Sequence, residues 1–513
     1  MEVNPLALDR SSTLYATLLL TGTGLISQVL GFLYRIALSR LIGAEVMGLY
    51  QLIMPVYFVF MSLVSTGLTT AVSTLTAQFH ALGNRAAIRQ TLRRCMLLFL
   101  LLLLCLGAIV IPASDAISVY LLGDARTQLG LILLIPCLLL TGTENLHKHT
   151  FYGSGNVRPA ALTELCEQVI RAAAVLGLLI LFLPQNPECT VGLIVTGMVI
   201  CEVFSAVTLL ILFRRHMGRH TRLRESAVSW KRIASIAVPV GFTSLLGNIM
   251  GSITSVLIPQ RLVVGGMGVS EAMSSFGVLC GMTIPLLNMP TALIGAMCLI
   301  MVPKLAESMA LNDRRSLHRR LGRALTATSV LMLPACALLV VVGPSLGQLL
   351  YGDPRVGDHI LPLAVGVLLS CWQSVLSCGL NGVNRQGAAA RNALISDVVQ
   401  VAFTWFTVSI PSVGLKGYVA GFVISSAVGL ALNWLSLSRA TGLRIQGFQW
   451  LLSPTLAAVL MGLCVNLLFY WLRNNNAPLP FAVIFCVVFG LVEYLAALQA
   501  QGVKVRALFR VGK

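Results

Sequence analysis

The fifth apolar segment of the sequence carries four polar residues that could do chemistry inside a membrane: Glu164, Glu167, Gln168 and Arg171. Spacings of three and four residues place these side chains on one stripe of a helix. Ionisable side chains within a bilayer are costly, so their presence indicates a functional role by default. Two interpretations are open at this point. Glu167 and Arg171 pair only to hide their charges, or the stripe faces a water-filled cavity and meets polar groups or protons there.

A second polar group lies within residues 27–57, where the first apolar segment ends and the second begins. Arg35 and Arg40 are five residues apart, about 140° around a helix of 3.6 residues per turn, so they cannot share one narrow face. We predict that Arg35 faces a polar cavity, whereas Arg40 is structural and can pair with Glu45. The alternative is that both arginines extend to the membrane surface on apolar stems. The glycines within residues 21–24 predict close packing or bending, because glycine weakens a helix by ~1 kcal/mol relative to alanine.

Further polar side chains within apolar segments are candidates for the same cavity. The predicted binding residues among them are Gln28, Gln51, Asn248, Asn288 and Asp397. We interpret His147, Lys148 and His149 as a solvated helix end, and Glu202 as a paired packing residue. Pro285 and Pro290 remove backbone donors, so the eighth apolar segment is expected to kink beside Asn288.

Composition identifies the class of protein that must position these residues. Of the 513 residues, 57% are hydrophobic and 11% are charged, whereas soluble domains carry about 25% charged residues. A membrane span needs about 20 apolar residues. Fourteen segments meet that length: 12–34, 46–72, 95–122, 128–150, 160–183, 190–213, 233–259, 272–302, 324–350, 359–384, 391–411, 415–438, 450–472 and 479–499. The sequence therefore predicts an all-α polytopic membrane protein.

The net charge of +18 is concentrated between the spans. Basic residues follow the even-numbered spans, with four in 80–94, seven in 214–232 and six in 304–323. This alternation is typical of cytoplasmic loops, and it predicts that both termini face the cytoplasm. It also accounts for the charge without a nucleic-acid partner. Arg35 and Arg40 are the exception, because they fall on the opposite side.

The sequence repeats itself after 229 residues, without gaps over nearly a hundred positions. LLGDAR at 121–126 falls on LYGDPR at 350–355. Because six spans separate the copies, both have the same orientation, which is typical of transporters that bind substrate near the membrane midplane. We predict an N-terminal six-helix bundle at 1–225, a C-terminal six-helix bundle at 226–445, and two additional helices with a basic cytoplasmic tail at 446–513.

The repeat also bears on the fifth span. Asp397 falls on Gln168, and Gln400 falls on Arg171, so both copies keep polar residues at these positions. Polarity in both copies favours the interpretation in which this stripe faces a central cavity between the bundles.

The sequence carries no signature of an enzyme or a metal site. It has no CxxC pair, no Cys/His cluster with metal-ligand spacing and no Walker A motif. We therefore expect no catalytic residues, no cofactor and no bound metal.

Three stretches resemble a known family: SQVLGFLYRIALSRLIGAEVMGLYQL at 27–52, YGSGNVRPAALTELCEQVIR at 152–171 and LNMPTALIGAMCLIMVPKLAESM at 287–309. They are similar to the stage V sporulation protein B family, a branch of the multidrug/oligosaccharidyl-lipid/polysaccharide (MOP) exporter superfamily. The likeness covers nearly the whole chain. It implies a MATE/MurJ-like fold of two bundles, working by alternating access in the bacterial cytoplasmic membrane. It also implies a flippase for a polyprenyl-diphosphate-linked oligosaccharide or peptidoglycan precursor, in cell-envelope or spore-cortex synthesis.

The resemblance assigns expected roles to the candidate residues. Arg35 would bind the diphosphate, and the amides of Gln28, Gln51, Asn248 and Asn288 would meet sugar hydroxyls. The lipid II flippase branch has arginine where this chain has Gln28 and Pro285, so we expect a related lipid-linked saccharide as substrate. Membrane lipid surrounds the protein, and a proton or sodium ion is the candidate coupling ion.

Two other functions remain open at the level of sequence. A cation-coupled multidrug or small-molecule antiporter of the same superfamily would use the membrane carboxylates Glu164, Glu167 and Asp397. A lipid-using glycosyltransferase is the enzymatic alternative. Such enzymes typically use acidic residues in large outer loops, and the outer loops of this chain are short.

Overall fold

The computed structural model describes residues 13–502, except residue 183 and residues 218–227 and 443–450. Throughout this part of the chain the secondary structure is helical and no strand forms, in agreement with the predicted all-α class. The first 12 residues, most of the basic loop at 214–232 and the basic tail at 504–513 lie outside the described residues.

Packing divides the chain into two units, Met1–Gln260 and Arg261–Lys513. The helices that begin in the first unit are α1 (Thr13–Met61), α2 (Gly67–Ala81), α3 (Arg85–Val110), α4 (Ser114–Ala116), α5 (Gln128–Gly153), α6 (Arg158–Phe182), α7 (Pro187–Met217) and α8 (Trp230–Val264). Those of the second unit are α9 (Val269–Phe276), α10 (Ile284–Asn288), α11 (Ala292–Ala310), α12 (Arg314–Tyr351), α13 (Ile360–Gly382), α14 (Gln386–Thr407), α15 (Leu415–Thr441), α16 (Ser453–Asn474) and α17 (Leu479–Ala500). The boundary by contacts falls inside α8. The domain limits predicted from the repeat, 1–225, 226–445 and 446–513, rest on sequence similarity and not on contacts, so they stay a prediction.

The described residues contain 12 helical runs that are long and apolar enough to cross a membrane. One of them, Leu19–Ala81, has 63 residues and contains most of the first predicted span and all of the second. The more polar α14 covers most of the predicted eleventh span. Each of the fourteen predicted spans therefore falls largely on described helices, and the chain is a multi-pass membrane protein.

The long α1 is two helices joined at Gly43, whose φ of 74° and ψ of 177° are not helical. A positive φ of this size is readily adopted only by glycine. Of the two alternatives predicted for Gly22 and Gly24, close packing is not found, because a Cβ on either residue would meet no described atom within 4 Å. The bend of α1 therefore lies about twenty residues beyond the glycines that suggested it.

The eighth span is interrupted where the kink is predicted. A π-helical segment, Gly277–Thr283, precedes α10, and a 3₁₀ turn at Met289–Thr291 separates α10 from α11. The Thr291 hydroxyl donates a hydrogen bond of 2.7 Å to the carbonyl oxygen of Asn288. A backbone carbonyl at this break is thus satisfied by a neighbouring side chain.

The repeated GD(A/P)R motif forms the same structure in each unit. In the first unit the Asp124 carboxylate accepts from the backbone N–H of Arg126 at 3.0 Å, and the Arg126 guanidinium reaches Glu45 of α1 at 2.6 Å. In the second unit Asp353 accepts from the backbone N–H of Arg355 at 2.9 Å. Arg355 also donates to the hydroxyl of Ser274 in α9 at 3.0 Å. Ser274 and Glu45 are themselves 229 positions apart, so the tertiary contact is repeated as well as the turn.

The two final helices pack within the second unit. α16 and α17 share an apolar core with α12 that includes Val342, Met461 and Cys486. These helices lie after the repeated segments, so they extend the second unit and have no counterpart in the first.

Candidate functional site

Three helices of the first unit, α5, α6 and α7, bring six charged side chains together. We call Glu144, Lys148, Glu164, Glu167, Arg171 and Glu202 the charged cluster. Gly197 of α7 allows the close approach, because a Cβ there would lie 2.6 Å from a methyl group of Val175 in α6. Small residues at helix contacts let backbones approach closely in membrane proteins.

Arg171 is the centre of the cluster. Its guanidinium pairs with Glu167 one turn earlier on α6, as the sequence predicts, and also reaches Glu202 of α7 at 3.2 Å. Glu167 is only 5% exposed and Glu202 only 2% exposed. Arg171 also donates to the Cys201 sulfur at 3.5 Å. The intrahelical pair therefore exists, but it belongs to a larger set of charges that joins two helices.

The interpretation of His147 and Lys148 as a solvated helix end is wrong. The Lys148 ammonium lies 2.8 Å from Glu144 and 3.8 Å from Glu164, and the side chain is only 12% exposed. His147 is buried, and one of its ring nitrogens lies 2.7 Å from the carbonyl oxygen of Thr143. This end of α5 is covered by neighbouring helices, so its cation must find carboxylates inside the protein.

The carboxyl groups of the cluster also approach one another. Glu144 interacts electrostatically with both Glu202 and Glu167. One oxygen of Glu202 has no hydrogen-bond donor among the described residues. The cluster holds four carboxyl groups and two cations. Such an arrangement can take up a proton or a cation, because like charges this close cannot all stay ionised.

A metal ion fits this arrangement poorly. The ligand atoms of Glu167, Cys201 and Glu202 lie within 4.8 Å of one another, a spacing that a metal site requires. The guanidinium of Arg171, however, already contacts all three side chains. A metal ion would have to displace this fixed positive charge, so the local charge balance favours a proton.

Arg35 lies near the cluster on α1. The phenol groups of Tyr34 and Tyr50 are each within electrostatic range of both Arg35 and Arg171. Arg35 is half-buried and forms no ion pair with any residue that the structure describes. Glu45, the acid that the sequence offers to Arg40, forms its 2.6 Å ion pair with Arg126.

The remaining predicted residues are not drawn into the cluster. Gln28 is exposed, whereas the amide nitrogen of Gln51 is buried and donates to no atom in the described part of the chain. Asn248 is half-buried on α8. Asn288 and Asp397 belong to the second unit, where Asn288 is exposed and Asp397 half-buried.

The second unit has neutral residues at the positions equivalent to the charged cluster. Gln373, Ser377, Ala393, Ser396 and Gln400 replace Glu144, Lys148, Glu164, Glu167 and Arg171. Two of them, Ser396 and Gln400, join α14 to α15 by ordinary hydrogen bonds. Ser425 of α15 donates to the Gln400 side chain at 2.9 Å, and Ser396 donates to the carbonyl oxygen of Ser425 at 2.6 Å.

Sequence reasoning missed that Glu202 and Lys148 belong to the site. A count of ionisable residues within the spans was the signal that could have found them. The fifth span has two acidic residues and one basic residue. Lys148 on the fourth span and Glu202 on the sixth span are charged residues that could complete the balance. Charges in a membrane are expected to have partners inside the protein.

The fold is that of a multi-pass membrane protein, and it is similar to the folds of solved membrane transporters. A solved structure described as the inward closed conformation of the lipid II flippase MurJ superposes with a TM-score of 0.72 at 12% identity, covering 96% of this chain and all of that one. An inward-facing multidrug resistance MATE family transporter gives a TM-score of 0.65 at 17% identity, covering 83% of this chain and 99% of that one. At these identities the likeness concerns the fold alone.

The chain belongs to the polysaccharide biosynthesis protein family, whose model matches residues 14–276. It is also similar to stage V sporulation protein B of Bacillus subtilis (strain 168), with 24% identity over 452 residues that cover 86% of this chain and 87% of that protein. The predicted resemblance is thereby confirmed.

Proposed function

We propose that this protein is a flippase that moves a polyprenyl-diphosphate-linked saccharide from the inner to the outer leaflet of the cytoplasmic membrane. The observation that carries the proposal is Arg35, a half-buried cation on a membrane helix with no carboxylate partner among the described residues. Such a charge is costly unless a ligand neutralises it, and a diphosphate is the anion that the substrate class supplies. The similarity to a family of polysaccharide biosynthesis proteins and to a lipid II flippase supports this class of substrate.

The physical task is to carry a charged sugar head group across ~30 Å of hydrocarbon, which it cannot cross unaided. In this proposal the polyprenyl tail stays in lipid while the head group passes through the protein by alternating access. Arg35 holds the diphosphate through charge-assisted, bidentate hydrogen bonds. The free amide of Gln51, with Gln28, Asn248 and Asn288, meets sugar hydroxyls. The substrate undergoes no covalent change.

A flipping assay in proteoliposomes tests the proposal. Purified protein is reconstituted with fluorescently labelled polyprenyl-diphosphate saccharides, and the fraction that becomes accessible from the opposite leaflet is followed. We expect Arg35→Ala to abolish flipping and Arg35→Lys to reduce it strongly, because an ammonium cannot reproduce the planar donor fork of arginine. Arg473→Ala, which removes an exposed arginine at the end of α16, is the matched control. Normal flipping by Arg35→Ala at equal reconstitution would remove this residue from the mechanism.

A cation-coupled multidrug antiporter is the second candidate function. The observation that favours it is the charged cluster, whose buried carboxyls Glu167 and Glu202 are groups that a proton-driven antiporter needs. The fold is also shared with a multidrug resistance MATE family transporter. Efflux of cationic drugs from proteoliposomes, combined with no flipping of any polyprenyl-linked saccharide, would favour this function over the first.

A further inference from the structure

We propose that the first unit binds the head group of an anionic phospholipid where the end of α2 meets the beginnings of α3 and α8. We call Arg93, Arg94, Lys231 and Arg232, which lie at this place, the basic corner. The alternation of charge between the spans predicts that this side of the protein faces the cytoplasm. The inference does not depend on what the protein transports.

Three side-chain contacts bring the helices together at the basic corner. The Arg232 guanidinium donates to the side-chain oxygen of Gln78 at 2.6 Å, and its carbon lies 5.5 Å from the centre of the Phe79 ring. The Arg94 guanidinium lies over the ring of Trp230 at 5.1 Å. An arginine that stacks on an aromatic ring is held by its face, so N–H groups at its edge stay available for an anion. Because Trp230 and Arg232 are two residues apart, both guanidiniums are presented at the same place.

Negative charge is missing from all three helices. α2, α3 and α8 contain no aspartate or glutamate, and no side chain of the basic corner forms an ion pair with a described residue. Lys231 and Arg232 also lie in the first turn of α8, where the helix dipole favours acidic side chains and opposes basic ones. Positive charge that the helix opposes and that no protein group neutralises points to an anion from outside the protein.

The repeat shows that the missing acids are a property of the first unit. After the shift of 229 residues, Gln78 falls on Glu307 and Asn84 falls on Asp313. Asn84 and Asp313 have the same structural role, because each side chain accepts a hydrogen bond of 3.0 Å from a backbone N–H at the start of its helix. Glu307 lies 3.2 Å from Arg320 of α12. The first unit therefore has an amide at each position where the second has a carboxylate. Acidic residues contribute little to membrane topology, so topology does not explain the difference.

The surface beside the basic corner favours a lipid over a soluble anion. Three exposed leucines continue the face of Arg94 along α3 at spacings of three, seven and ten residues: Leu97, Leu101 and Leu104. On α8 the exposed Val238 follows Lys231 after two turns. Trp230 is also exposed, and tryptophan is enriched where a membrane meets water. A phospholipid supplies both parts of the match, because its phosphate fits the guanidiniums and its acyl chains fit the apolar faces below them.

Binding of defined lipids to the purified full-length protein tests the site. The protein in detergent is mixed with equal amounts of phosphatidylglycerol and phosphatidylcholine, and the lipids that stay bound are measured by native mass spectrometry. We expect the wild type to retain phosphatidylglycerol in preference. Gln78→Glu should lower this preference about fivefold, the effect of losing one basic residue, because the new carboxylate pairs with Arg232. Folding is not put at risk, since the variant adds an acid beside a cation, as Glu307 does in the second unit.

Gln386→Glu is the matched control. It makes the same exchange at an exposed position of α14, on the side predicted to be cytoplasmic, and should leave the preference unchanged. Arg232→Gln should act like Gln78→Glu. Equal retention of the two lipids by the wild type, or a preference that Gln78→Glu leaves intact, would overturn the site.

Two competitors identify the source of the anion. We expect an excess of inorganic phosphate to leave phosphatidylglycerol bound, because phosphate lacks the apolar chains. Displacement by phosphate would overturn the assignment to a lipid. Displacement by a polyprenyl-diphosphate saccharide at equal concentration would assign the basic corner to the transported substrate and overturn the assignment to a phospholipid.

Discussion

Replacing Arg171 by glutamine, the residue at the equivalent position of the second unit, is the sharpest perturbation of the charged cluster. Among the described residues, the change removes the one guanidinium that contacts both Glu167 and Glu202, which are 5% and 2% exposed. Removing one partner of a buried ion pair costs about 3–5 kcal/mol, because it leaves an uncompensated charge. The Arg171 side chain is itself 23% exposed, so we expect the lower end, ~3 kcal/mol.

The assay is thermal unfolding of the purified protein in detergent, together with its yield from membranes. Arg171→Gln should unfold well below the wild type in mildly alkaline buffer. The difference should shrink in acidic buffer, because protonation of the two carboxyls then removes the charge that Arg171 had neutralised. The triple change Glu167→Gln, Arg171→Gln and Glu202→Gln should recover most of the lost stability, because no buried charge remains unpaired.

Two results would refute this reasoning. One is an Arg171→Gln protein as stable as the wild type in alkaline buffer, which would mean that the buried carboxyls do not depend on the guanidinium. The other is a triple variant as unstable as the single one, since the loss would then come from packing. Transport separates the two interpretations of the stripe on α6. If the stable triple variant also transports normally, the pair is only structural.

Three further predictions concern other parts of the molecule. The hydrogen bond from Arg355 lowers the pKa of Asp353 below its ordinary value of 3.8. Arg355→Ala should therefore cost at most about 1 kcal/mol of stability, because the pair is partly exposed. This difference in stability is present above pH 3.8 and disappears as the pH falls through the lowered pKa of Asp353. Gly153→Ala should destabilise by about 1–3 kcal/mol, because its Cβ would lie 2.4 Å from a backbone oxygen of α2, whereas Gly24→Ala has open space and should be tolerated. Single cysteines placed just before α7 and just before α8 should react with impermeant reagents from opposite sides of the membrane, and labelling from one side would contradict the predicted topology.

The fold class and the spans could be predicted from the sequence because they depend on local hydropathy. A run of about 20 apolar residues specifies a membrane helix wherever it later packs. The ion pair of Glu167 with Arg171 was predictable for the same reason, since a spacing of four residues fixes the contact within one helix. The GD(A/P)R turn was visible as a repeated motif, although its contact with Glu45 was not.

The rest of the site could not be predicted because it depends on how helices rotate about their axes. The contact of Arg171 with Glu202 joins α6 to α7, and that of Lys148 with Glu164 joins α5 to α6. Each requires one particular face of each helix, and apolar segments buried on many sides give little indication of that face. The close approach at Gly197 was equally hidden, because glycines are common in membrane helices whether or not they are needed for packing.

The difference between the two halves bears most directly on mechanism. The turns that contain Asp124 and Asp353 keep the same structure and the same tertiary contact in both halves, so the repeat preserves what the scaffold needs. The positions equivalent to Glu167 and Arg171 do not follow this pattern, since the first half has charges there and the second has a hydroxyl and an amide. Burying charges gives no stability that hydrogen-bonded neutral groups could not supply. The charges of the first half are therefore better explained by a titration or binding step than by folding.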